Sequence, residues 1–367
     1  MFPTIHILYK FTVGPWGGGN QFLKALQNYF RDTGVYSEDP KNADMILFNS
    51  HHCLKEVYNI KKKYPKKILI HRIDGPIFCV RGKDELIDEI IFQANKIFAD
   101  GTVFQSNWSR TKNYELGLSR NLNERVIVNA PDPKIFNREG KKPFERKRIR
   151  LIATSWSANI RKGFDIYKFI DNNLDFDRYQ MTFVGNSHIK FKNIKWIKPV
   201  PNQQVAKLLK EHDIYIIASR SDPCSNALIE ALHCGLPAVA RNDGGHPEII
   251  CNAGELFEDT TGVLKAIEMV SNDFLRFQEQ IRLSTLNEVG KEYYNFAQSI
   301  YNEYLEGNYR SKDINFFSVG HLDFKLKGWI KWQKSSTKFQ PYHRILSMLQ
   351  EVWNRSILRK DFAKNKQ

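Results

Sequence analysis

Cysteine is scarce in this 367-residue chain: five residues, an odd number, with no Cys-x-x-Cys and no histidine at zinc-ligand spacing. That excludes a disulfide framework and a cysteine–histidine zinc site, and reads as reduced thiols in a reducing compartment. Long apolar runs are missing too. No stretch of 18 apolar residues occurs, and the amino terminus lacks a basic-then-apolar leader, so the sequence predicts a protein that neither spans a membrane nor is exported. Gly-x-Gly-x-x-Gly is absent, which leaves a nicotinamide cofactor with little support. Short repeats and low-complexity tracts are absent as well.

What is present is a hydrophobic content of 42% and a length that suits about two domains. The net charge of +15 is unevenly spread: residues 310–367 hold 13 Lys/Arg against 4 Asp/Glu. Such asymmetry points to an anionic partner, whether nucleic acid, a membrane surface or a charged substrate.

Short apolar runs alternate with helical patterns along the chain. Residues 5–9, 44–48, 67–70, 96–99 and 125–128 read as strands, with helices over 21–30, 84–93 and 104–114. Asn129-Ala-Pro-Asp-Pro breaks the pattern, and the charged stretch 137–150 reads as an interdomain linker. Strands then restart at 149–154, 181–185 and 213–218, and residues 260–305 are mainly helical. The expected organisation is α/β: two successive doubly wound domains, 1–137 and 138–305, followed by an extension, 306–367. Ligands of such sheets sit at the carboxyl ends of the strands.

The most informative stretch is 219–240, SRSDPCSNALIEALHCGLPAVA. Asp222-Pro223 reads as N-cap and N1 of a helix, and Gly235 as its closing C′ glycine. Glu230 sits among apolar residues of that helix. Eight positions separate Asp222 from Glu230, about 12 Å along a helix, too far to share a proton or a metal. They are placed to grip the two ends of an extended ligand, with the free N–H groups of the helix start between them for a phosphate. The alternative is a plain cap and a snorkelling surface glutamate.

This stretch resembles the signature of the retaining, group 1 (GT4-like) GT-B glycosyltransferases: Glu, seven residues, Glu, then Ala-x-Ala-x-Gly-x-Pro. Asp222 stands where the family has its first Glu, and Glu230, Ala231, Gly235 and Pro237 are in register. The resemblance implies a GT-B fold, two Rossmann-like domains facing a cleft, and a nucleoside-diphosphate sugar as donor substrate. It implies that Asp222 faces the transferred sugar, that Glu230 holds the ribose, and that amides near Ser225 and Asn226 hold the diphosphate. Asn159-Ile-Arg-Lys-Gly matches the family's Lys-Gly, so Lys162, helped by Arg161, would stabilise the leaving diphosphate. The family's preceding Gly-Arg is replaced by Thr154-Ser-Trp-Ser. Gly244, Gly245 and Glu248 resemble the family's Gly-Gly-x-x-Glu donor loop.

Two further segments read as first-domain contributions. The glycines of Gly14-Pro-Trp-Gly-Gly-Gly-Asn, notably Gly17, Gly18 and Gly19, follow the first strand and allow a ligand close to the backbone, or form a tight turn. His71, Arg72 and Asp74 leave a strand end: His71 and Asp74 to act on an acceptor hydroxyl and Arg72 to bind the acceptor, or else a core histidine beside an ion pair. Asp175-Phe-Asp177 looks like a metal-binding pair, but lies in a polar loop away from the expected cleft, and the resemblance implies no required metal or other cofactor. The tail carries Trp329, Trp332 and Trp353 among basic residues, which suits an anionic membrane surface or single-stranded nucleic acid. Part of it is expected to pack back on the first domain.

The resulting expectation is a hexosyltransferase-type enzyme moving sugar to a glycan or lipid-linked acceptor in cell-surface polysaccharide synthesis. It would be cytoplasmic, either free or peripheral on the inner membrane face, and would not bind nucleic acid. The alternatives are a non-catalytic nucleotide-binding relative or an inverting GT-B enzyme.

Overall fold

The computed structural model describes residues 2–12, 18–82, 84–314 and 319–328. Gly17 and the three tail tryptophans lie outside these residues. The described chain falls into two units, 1–315 and 316–367.

The first unit holds two parallel sheets. One is built from β1 (Ile5–Leu8), β2 (Met45–Asn49), β3 (Ile68–Ile73), β4 (Gly101–Phe104) and β5 (Glu124–Val126), side by side in that order. The central strands β2 and β3 are buried along their whole length, as expected where both sheet faces are covered. Ile5 also bridges to Tyr36, using both of its backbone groups on residues 35–37 while Thr4 faces the start of β2. The chain therefore leaves β1 through the helix Gly18–Asp32 to one flank and returns to β2 on the other. This reversal puts a topological switch point beside the glycine-rich loop.

The second sheet contains β6 (Ile149–Ser155), β7 (Tyr179–Gly185), β8 (Lys195–Ile197), β9 (Ile214–Ile217), β10 (Ala238–Arg241) and β11 (Gly254–Phe257), in the spatial order β11-β10-β9-β6-β7-β8. Its direction reverses between β6 and β9, the second switch point. Alternation along the strands divides the core: Leu151, Ala153, Phe183 and Ile216 pack to one face, and Ile152, Val184, Tyr215 and Ile217 to the other.

The helix Leu286–Leu305, which the sequence groups with the second domain, carries its apolar face to the first sheet. Val289, Tyr293, Phe296 and Ile300 join Ile7, Phe22, Leu47 and Ile70 in one core. Beyond it, Tyr309 Oη, Ser311 Oγ and the Lys312 amide all donate to Oδ1 of Asp100, at 3.0, 3.1 and 3.0 Å. The second unit is described only as a helical stretch over 319–328, in which Lys327 pairs with Asp323 and Phe324 is exposed.

Candidate functional site

A crevice of about 520 Å³ lies between the two sheets, at the carboxyl ends of β3, β6 and β9. The first sheet's side contributes Gly18, Gly19, Asp74, Arg81 and Gln105; the second contributes Trp156, Lys162, Asp222, Ser225, Asn226 and Glu230.

The turn after β9 does not follow the sequence expectation. The helix begins at Asn226, and its N-cap is Ser225, whose hydroxyl accepts from the Leu228 amide. Asp222 and Pro223 precede it in an irregular turn. Ser221 adopts φ +51° and donates its amide to Asp243, while the Gly245 amide donates to the Asp222 carbonyl at 2.9 Å. These bonds hold residues 221–224 off the helix axis, so the helical spacing between Asp222 and Glu230 does not apply. Gly235, at φ +83°, does close the helix.

Lys162 ends a short 3-10 turn, Ile160–Lys162, and donates to Asp222 Oδ2 at 2.9 Å. Gly163 follows at φ +79°, where a Cβ would fall 2.2 Å from the Ala218 carbonyl oxygen. Only glycine lets this turn close on the strand end, and that contact delivers Lys162 to Asp222. Burial raises the Asp222 carboxyl, but Lys162 and His246 outweigh it and hold the group below its ordinary value. His246 is fully buried, with Nδ1 donating to the Arg241 carbonyl and Nε2 facing Ser219 Oγ at 3.2 Å. Glu230 lines the crevice without a charged partner among the described residues, and desolvation pushes its carboxyl up to about 8.

Several expected site residues have other positions. His71 is fully buried, stacked on Phe48, and bonded to the Ser50 carbonyl and to Asn95. Burial drives its pKa down to about 3; it is a neutral core histidine and does not reach the crevice. Arg72 is also fully buried: it donates to Asn49, Asp74 and Asn129, at 2.6, 2.7 and 3.0 Å. It acts on the crevice through Asn129 and through Asp74, which also accepts from Asn49, Ser50 and Gln105. Burial would raise Asp74, and Arg72 with these donors lowers it, so it stays ionised.

Arg161 turns away from the crevice centre and donates to the Cys79 carbonyl of the first domain. Glu248 accepts from the amides of Asn107 and Trp108, at 2.8 and 2.7 Å, at the start of the helix Asn107–Glu115. It latches the domains together rather than touching a donor. Gly244 and Gly245 lie behind the Asp222 turn, where side chains would strike the carbonyl oxygens of Asp222 and Pro223. Gly18 packs on Asn226, and Gly75 on Pro223, so the two domains meet at glycines. Asp175 caps its own loop by accepting from the Asp177 amide. Among the described residues no group of acidic, His or Cys side chains is arranged to hold a metal ion.

Sequence reasoning missed Gln105, Asn129, Arg81 and Trp156. Asn129, read only as a break between domains, donates to Gln105 and to Asn226 at 3.1 Å each. It completes a polar chain from Asp74 across to the helix start. Trp156, with 41% of its surface exposed, stands just past the end of β6 and lines the crevice.

Residues 186–275 match the family model of glycosyl transferases group 1. Over 82 residues the chain is 30% identical to the phosphatidylinositol N-acetylglucosaminyltransferase GPI3 subunit of Saccharomyces cerevisiae, a match covering 22% of this chain and 18% of that protein. The match thus spans less than a fifth of the yeast protein's length. In fold the chain is similar to sucrose-phosphate synthase from Thermosynechococcus elongatus, with TM-score 0.60, 13% identity and coverage of 89% of this chain and 100% of the other. It is also similar to Anabaena Alr3699/HepE in complex with UDP-glucose, with TM-score 0.57, 13% identity and coverage of 84% and 100%. Two doubly wound sheets face across a crevice, as in the GT-B fold of these solved structures, and the segment similar to the group 1 glycosyl transferases, residues 186–275, forms part of its second wall.

Proposed function

We propose that this protein is a retaining glycosyltransferase that takes a sugar from a nucleoside-diphosphate sugar and passes it to an acceptor hydroxyl on a glycan or lipid-linked glycan. The observation that carries the reading is Glu230, a carboxyl group lining the crevice with no charged partner and a raised pKa. A half-buried, desolvated carboxyl with no charged partner among the described residues is costly unless a ligand supplies one, and a ribose diol supplies two donors. Lys162 and the amides at the start of the helix Asn226–His233 then face the diphosphate, a fixed positive field where negative charge develops on the leaving group. Asp222, held by Lys162, faces the transferred sugar, and Asp74, fixed by Arg72, faces the acceptor from the opposite wall. The fold relative solved with UDP-glucose favours a nucleotide-sugar donor. The yeast relative's name, which carries phosphatidylinositol, favours a lipid-linked acceptor. A role in surface polysaccharide synthesis on the inner membrane face, with the basic tail on anionic lipid, fits this chemistry.

A thermal-shift panel of UDP, GDP, ADP, CMP and dTDP, with and without Glu230→Ala, tests the donor reading. One diphosphate at 100 times its Kd should stabilise the wild type by about 2.7 kcal/mol and leave Glu230→Ala unmoved. No response at millimolar nucleotide sinks it. Turnover of the matching nucleotide sugar, with the product anomer read by NMR, separates retaining from inverting transfer; binding without turnover identifies a non-catalytic relative.

A further inference from the structure

Among the described residues that line the crevice, Arg81 and Lys162 are the cations, and Asp74, Asp222 and Glu230 the carboxylates. Asp222 is matched by Lys162 at 2.9 Å, and Asp74 by Arg72 at 2.7 Å from behind the wall. Arg81, at the end of the helix Ile77–Arg81, is not paired with any of the three: among the described residues its ion pair is a 3.6 Å contact with Asp84, three residues on. That contact is beyond hydrogen-bond length, and a guanidinium fork suits bidentate contact with a phosphate.

Arg161 contacts the backbone that carries Arg81. Its guanidinium donates to the Cys79 carbonyl at 3.0 Å, and its Nε lies 3.0 Å from where a Cβ on Gly82 would sit. The residue before Lys162 therefore grips the first domain on either side of Arg81 in sequence. Lys162 and Arg81 both line the crevice, from opposite walls. Ser157 and its neighbours, standing in for the Gly-Arg that the resemblance leads one to expect, supply no cation there.

We propose that Arg81 is the second cation of the donor site, contributed by the first domain, and that it holds the donor's diphosphate opposite Lys162. Arg161 is then a positioning residue that acts through the Cys79 carbonyl. The proposal rests on the nucleotide-sugar reading above. Its consequence is that the diphosphate ties the two domains together, because its two cations come from different walls.

Calorimetric titration of the full chain with UDP, GDP and ADP, and with uridine, guanosine and adenosine, tests it. In Arg81→Ala the affinity for the preferred diphosphate should fall about tenfold or more, as expected for losing a hydrogen bond to a charged group. Affinity for the parent nucleoside should hold within about twofold, and Arg81→Lys should recover part of the loss. Arg161→Ala should weaken the diphosphate by a smaller factor in the Arg81 background of the wild type and add nothing to Arg81→Ala. Unchanged diphosphate affinity in Arg81→Ala, or an equal loss for nucleoside and diphosphate, overturns the assignment while leaving the donor reading intact. A rise confined to the acceptor's KM overturns it in favour of an anionic acceptor. A wild type that binds none of the three diphosphates fails the donor reading itself, and the proposal with it.

Discussion

Glu230 and His71 show what a single side chain's surroundings decide. Both were conspicuous in the sequence, a carboxylate among apolar residues and an imidazole at a strand end. Burial pushes Glu230 up to about 8, so the folded chain keeps a proton that the unfolded chain releases near its ordinary value. The stability tied to that proton is fully present below the unfolded pKa and is lost as pH rises through about 8. Glu230→Gln should therefore match the wild type in urea melts below pH 4 and exceed it at pH 9; parallel curves across that range would contradict a desolvated carboxyl. Since ribose hydroxyls donate best to the ionised form, diphosphate binding at pH 7 should release a proton from the wild type and not from Glu230→Gln. Calorimetry in two buffers of different ionisation enthalpy reads that difference. His71 could not be assigned from sequence because a strand end faces either a core or a cleft. Its pairing with Phe48 in the adjacent strand put it in the core, and Asp74, just past the strand end, entered the crevice instead.

Among the elements, the turns ahead of the helices matter most. Expecting Asp222 as N-cap was reasonable from Asp-Pro, yet Ser225 caps the helix, because the Asp222 carbonyl and the Ser221 amide are taken by Gly245 and Asp243 more than twenty residues away. Ser225→Ala should cost about 1 kcal/mol of stability in denaturant melts without altering the Lys162–Asp222 pair. Gly163→Ala is expected to be harsher. Holding alanine at φ +79° costs roughly 1–2 kcal/mol, and its Cβ meets a backbone oxygen. The turn would move and carry Lys162 with it, so diphosphate affinity should fall along with stability. An alanine variant that binds the diphosphate normally would show that the turn does not place Lys162.

At the level of the whole molecule, the first domain is completed from the far end of the chain. Lys61 and Asp100 form a fully buried ion pair at 3.3 Å, and Asp100 also accepts from the Leu69 amide and from residues 309, 311 and 312. Asp100→Ala would leave Lys61 buried and unpaired, at a cost of about 3–5 kcal/mol. It should also free the segment after the helix Leu286–Leu305 to early proteolysis; a variant as stable and as resistant as the wild type would remove Asp100 as the anchor. Two parallel α/β sheets, most of their strands, the glycine-closed helix 226–233 and the residues Lys162, Asp222 and Glu230 were legible in the sequence. Apolar runs, breakers and cap residues are local signals, read within a few positions. Only the tertiary structure decided that the last long helix belongs to the first core, that Glu248 latches onto residues 107 and 108, that Arg161 crosses to Cys79, and that Arg81 lines the crevice. Those are contacts between residues tens to hundreds of positions apart, and no periodicity within one segment specifies which distant backbone group will meet it.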